Sequence, residues 1–112
     1  ARQLDGVPLI SFSSTLPIGF DTHSAFAEVG ATPRIGIEVG QTFVAASLVR
    51  AGAGIAVVDR LSLNELPEDL VIRPFLPRRT VKLFAITRPE RPSLLAREFA
   101  ERIARLAARV AA

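Results

Sequence analysis

The sequence predicts an α/β protein built on an open, mainly parallel sheet with helices on both faces. Three observations carry that prediction. Short apolar segments alternate with helical segments in the order strand, helix, strand, helix, strand, joined by short links. The run Ile55 to Val58 (IAVV) is continuously apolar, as strands covered on both faces are. Gly30 and Gly52 close helices, and Gly52-Ala53-Gly54 leads into a strand, whereas a nucleotide-binding glycine loop would open a helix.

Taken in order, Val7 to Phe12 (VPLISF) is short, apolar and partly β-branched, and reads as a buried strand. Ser13 to Gly19 (SSTLPIG) carries hydroxyls, a proline and a glycine, and is expected to be a loop. Asp21 can cap a helix running through Val29, with Ala25, Phe26 and Val29 on one face. Gly30 suits the left-handed position after that helix, and Pro33 prevents its continuation. The pattern repeats: Ile35 to Val39 alternates as a strand does, and Gly40-Gln41-Thr42 opens a helix through Ala51, ended by Gly52. Ile55 to Val58 is the third strand. Leu61 to Leu66 is expected to form a helical turn ended by Pro67, and Leu70 to Phe75 and Val81 to Thr87 read as two further strands. Pro89 and Pro92 mark an exit, after which Ser93 caps a helix to about Val110. Leu95, Phe99, Ile103, Leu106 and Val110 line one face of that helix, and Arg97–Glu101, Glu98–Arg102 and Glu101–Arg105 stand four apart on the others.

Composition removes several function classes. The chain of 112 residues is 49% hydrophobic and 22% charged, the make-up of an ordinary globular domain. Its apolar runs are far short of the ~20 residues that cross a bilayer, and no secretory signal is visible, so a cytoplasmic location is expected. Cysteine is absent, which excludes disulfides, thiolate metal sites and a cysteine nucleophile. The isoelectric point near 11.0 reflects arginine usage more than net charge, which is only +3. The arginines are scattered, and no aromatic residues are interleaved with them for base stacking, so direct nucleic-acid binding by this segment is not expected.

No catalytic or metal-binding constellation emerges. His23 is the only histidine, and no serine sits in a nucleophile elbow. With one histidine and no cysteine, ligand spacing for a metal is missing; no metal and no cofactor are expected. Ala51-Gly52-Ala53-Gly54 has glycines in the wrong order for a dinucleotide loop, since they follow a helix and lead into a strand. The segment that can bind is Ser13-Ser14-Thr15 with Pro17 and Ile18. Its hydroxyls lie at the carboxyl end of a strand, where open α/β sheets hold their ligands. Gln41 and Thr42, after the second strand, emerge on the same edge; Asp59, after the third, could serve a ligand or a turn.

In order and spacing over nearly the whole chain, these segments resemble the C-terminal effector-binding domain of LysR-type transcriptional regulators. The resemblance is carried by Pro8 to Phe12 (PLISF), the Pro17-Ile18-Gly19 turn, Phe26 to Ile35 (FAEVGATPRI) and Val49 to Asp59 (VRAGAGIAVVD). Leu70 to Phe75 and Leu83 to Thr87 match in kind. The stretch V-x-x-G-x-G-I-A-V-V after a helix is the most recognisable piece, and the serine-rich first loop resembles the branch that responds to amino acids and related metabolites. The resemblance implies one lobe of a type II periplasmic-binding-protein-like domain plus a C-terminal helix. Residues 1–87 would be the second lobe, truncated at its start, and residues 88–112 a helix returning to the first lobe. It implies no enzyme. Ser13, Ser14, Thr15, Pro17, Ile18, Gln41 and Thr42 would contact a small polar or anionic metabolite, an amino acid or relative among the candidates. DNA would be met only through an N-terminal domain outside this sequence, and a homodimer or higher oligomer is expected. Two other readings compete. A periplasmic solute-binding lobe would share this chemistry and be told apart by an export signal. A small α/β enzyme would need His23 or a carboxylate such as Asp59 as its base.

Overall fold

The computed structural model describes residues 1–90 and 93–111, so the expected break at Pro92 lies outside the described residues. The chain divides into two compact units, Ala1–Val81 and Lys82–Ala112.

The first unit is a parallel sheet of three strands, β1 (Pro8–Phe12), β2 (Arg34–Val39) and β3 (Ile55–Ala56), in the order β2-β1-β3. Two helices connect them, α1 (Pro17–Glu28) and α2 (Thr42–Arg50). The central strand explains why helices cover both faces. Its side chains alternate between two cores: Leu9 packs with Phe26 and Ala31, while Ile10 and Phe12 pack with Val39 and Ala45. Phe26 belongs to α1 and Ala45 to α2, so each helix covers one face of the same strand. That is why Leu9 to Phe12 is an unbroken buried run. In β2 the register shifts opposite Leu9 and Ile10, where Gly36 is the extra residue, and this brings Ile37 and Val39 into line with Ile10 and Phe12.

Both helices end alike. After α1, Gly30 (φ +67°) donates its N–H to Ala27 O at 3.1 Å and Ala31 donates to Phe26 O at 3.0 Å. After α2, Gly52 (φ +80°) donates to Val49 O at 2.9 Å and Ala53 to Leu48 O at 3.0 Å. These are two Schellman motifs, with glycine where a side chain would be strained. The expected left-handed termini are therefore present.

The start of α1 differs from expectation. Pro17, Ile18 and Gly19 are its first turn, Leu16 is the N-cap, and Asp21 lies inside the helix. Proline at the first helical position costs nothing, because that N–H has no intrahelical acceptor, and its fixed φ already suits the helix. The second difference is larger. Leu70 to Phe75 and Val81 to Thr87 form no strands; the sheet has three, and β3 stops at Ala56. A strand needs a neighbouring edge to pair with, and Pro74 removes a donor from the first of these segments, which Pro67 and Pro77 flank. Residues 66–81 instead run as an irregular strap, with a turn closed by Leu70 N–H on Pro67 O and a bend at Leu76-Pro77. Asp69 pairs with Arg50 at the end of α2 (2.8 Å), Arg79 with Glu28 at the end of α1 (2.5 Å), and Phe75 stands 6.1 Å from Phe26, ring centre to ring centre.

The second unit contains α3 (Leu94–Ala111). Ser93 caps it as expected: its Oγ accepts from Ala96 N–H at 3.1 Å and its carbonyl from Arg97 N–H. Of the three charge pairs expected, Glu98–Arg102 closes at 2.7 Å. Leu95, Phe99 and Leu106 on its apolar stripe are largely exposed.

Candidate functional site

Because all three strands are parallel, their carboxyl ends share one edge of the sheet. Phe12 is opposite Val39, so Ser13 and Gly40 leave the sheet from adjacent positions. The loops Ser13–Leu16 and Gly40–Gln41 thus start side by side, strands being ~4.8 Å apart.

The first loop is organised by its own hydroxyls. Ser13 Oγ lies 2.9 Å from Thr15 Oγ1 and accepts a long bond from Thr15 N–H, while Ser13 O accepts from Leu16 N–H at 2.9 Å. Ser14, Thr15 and Pro17 are exposed, Ser13 and Ile18 half-buried. Ile18 packs against the core that contains Ile10 and Phe12, which ties the first turn of α1 to the strand end. Gly19 makes that approach possible. A Cβ built there would stand 2.0 Å from Ser13 O and 2.6 Å from Phe12 O. Neither α1 nor α2 has a side-chain cap, so the first N–H groups of both helices stay open at this edge, where an acceptor is favoured.

Gln41 is the N-cap residue of α2 and exposed; Thr42 is its first residue and half-buried. A third element reaches this corner. After β3, Asp59 caps the 3-10 helix Arg60–Glu65, accepting from Ser62 N–H (3.0 Å) and Ser62 Oγ–H (2.9 Å). Ser62 Oγ in turn lies 3.4 Å from Thr42 Oγ1. β1 stands between β2 and β3 in the sheet, so this contact spans the end of the central strand. The helical turn expected around Leu61 to Leu66 is therefore present, and Asp59 has a capping role. Ser62 was not singled out by sequence. Its only signal was its place three residues after an aspartate, an N-capping spacing that does not reveal a contact with Thr42.

The edge is also apolar at its rim: Phe20 is 62% and Phe43 70% exposed, one near the start of each helix. His23 does not join the hydroxyls; its Nδ1 lies 2.9 Å from Gly19 O in its own helix. No group of three or more metal-ligating side chains occurs among the described residues, and no described helix is long and apolar enough to cross a membrane. The geometry offers hydroxyls, open N–H groups and a half-buried carboxylate around a shared strand edge. That is the equipment of a polar ligand site.

No curated protein and no solved structure matches the chain. A family model does, over residues 1–108, and its description is LysR substrate binding domain.

Proposed function

The chain belongs to the LysR substrate-binding domain family, and on that premise we propose that it is the effector-sensing region of a LysR-type DNA-binding transcription regulator. The family is a regulatory, ligand-binding one and not a catalytic one. The effector is a small polar or anionic metabolite held at the carboxyl edge of the sheet by Ser13, Ser14, Thr15, Gln41 and Thr42. Pro17 and Ile18 shape the turn against which it lies. The observation that carries this reading is the convergence of two uncapped helix N-termini and the hydroxyls of Ser13, Thr15 and Thr42 on one strand edge. In this reading residues 1–87 are one lobe of a two-lobed sensor and residues 88–112 carry the helix that returns to the other. A ligand acts by binding one arrangement of the lobes better than another, since equal affinity for both would shift nothing. The DNA is met by a separate domain of the regulator, and the exposed stripe of α3 supports assembly into a dimer or larger oligomer.

The test is a screen of polar metabolites against the isotope-labelled chain, followed by amide resonances. An effector should shift Ser13 to Gly19 and Gly40 to Val44 first. Ser13→Ala and Thr42→Val should each weaken it several-fold while the thermal midpoint stays put. Ligands that shift only amides remote from this edge would refute the assignment.

A further inference from the structure

The apolar stripe of α3 is open to solvent, with Phe99 66%, Leu106 61% and Ile103 41% exposed. A helix in water is held mainly by packing such a face, so the stripe calls for a cover. Its spacing says what kind. Phe99, Ile103, Leu106 and Val110 stand four, three and four residues apart, and Ala96 falls three before Phe99. That is the alternation of a coiled-coil seam, with Ala96, Ile103 and Val110 at the a positions and Phe99 and Leu106 at d. β-branched residues at a with leucine at d favour two parallel strands. At a the Cα–Cβ bond runs alongside the facing backbone and leaves room for a branch at Cβ. At d it points into the facing helix, where the branch of leucine, one atom further out, fits.

The two flanks of the seam are unlike, and they decide the orientation. Arg102 and Arg109 occupy g positions on one side, and Ala100 and Ala107 occupy e positions on the other. In a parallel pair g of one helix faces e of the other. Arginine then lies over alanine, its methylenes covering the small side chain while the guanidinium stays in water. In an antiparallel pair g faces g, and arginine meets arginine. We propose that the cover is the α3 of a second copy of this chain, aligned in parallel as a two-stranded coiled coil. This deepens the assembly put forward above and uses no residue of the strand edge. The seam is short, so the pair forms reversibly. The other lobe to which α3 returns is the competing cover for the same stripe.

The experiment combines sedimentation equilibrium with cysteine cross-linking, for which the absence of native cysteine leaves a clean background. The chain should show a concentration-dependent monomer–dimer equilibrium. Ile103→Ala keeps the helix, since alanine is the better helix former, but removes the central knob from both copies; it should weaken the dimer at least ~10-fold. In a parallel pair each seam residue faces its own counterpart within reach of a disulfide. Ala96→Cys should therefore cross-link to itself under mild oxidation, and a mixture of Ala96→Cys with Leu106→Cys should give little of the mixed product. An antiparallel pair sets residue 96 against residue 106, so a predominance of the mixed product overturns the proposal. A dimer unweakened in Ile103→Ala keeps the assembly but moves it off α3, which also overturns it. A chain that stays monomeric at millimolar concentration overturns it too and leaves the stripe to the other lobe.

Discussion

Gly19→Ala is the sharpest perturbation the structure offers, because local and tertiary effects oppose each other there. Gly19 is in the first turn of α1, and in a helix interior alanine is favoured over glycine by ~1 kcal/mol. The tertiary effect runs the other way. The added Cβ would meet Ser13 O at 2.0 Å, Phe12 O at 2.6 Å and Ser13 C at 2.6 Å, all of them backbone atoms. A carbon cannot come that close, so the helix start and the strand end must separate by at least ~1 Å. Overpacking of this kind costs typically 1–3 kcal/mol, and rigid backbone neighbours put it at ~3 or above. Subtracting the propensity gain leaves a net loss of ~2 kcal/mol or more. For a unit of this size that is a drop of roughly 8–16 °C in Tm. Thermal unfolding by circular dichroism measures it. Gly40→Ala is the control, since a Cβ there has nothing within 4 Å; it should change Tm little. The Ser13 and Leu16 amide resonances should also move in Gly19→Ala. A variant as stable as the wild type, with those resonances unmoved, would refute the close approach on which the first loop depends.

Three other perturbations test separate parts of the fold. Phe26→Ala empties a fully buried position between Leu9, Ala31 and Phe75; it should cost about 3–5 kcal/mol, read as a loss of the cooperative unfolding transition in denaturant. Gly54 has φ +150° and leaves 3.0 Å between a built Cβ and Pro8 O, so Gly54→Ala should cost ~1–3 kcal/mol and speed amide exchange in β3 before β2. Ser93→Ala removes the cap on Ala96 N–H and should lower the stability of α3 by ~1 kcal/mol, seen as faster exchange in its first turn with the sheet unaffected.

Much of this molecule was legible in the sequence where the signal is local. The two glycine-closed helices, the Ser93 cap and the strand cores at Leu9 to Phe12 and Ile35 to Val39 all rest on periodicity or on backbone conformations that few residues adopt. Order alone implied a parallel sheet, and a parallel sheet brings Ser13 and Thr42 to one edge. The misreadings have a common origin. Asp21 was a good cap by type, but Pro17 suited the helix start better, and the Gly19 contact with Ser13 requires the helix to begin there. Leu70 to Phe75 has the composition of a strand, yet composition cannot supply a neighbour to pair with; Phe75 found Phe26 instead, and Asp69 and Arg79 found the two helix ends.

What the sequence by itself determined is the succession of elements, because caps, breakers and periodicity act within a few residues. The tertiary structure alone decided which apolar segments became strands, how closely α1 could approach β1, and that Asp59 and Ser62 stand beside Thr42. Each of those depends on groups 6 to 51 residues apart meeting in space, and the free energy of such a contact exists only once the intervening chain has folded to bring its partners together.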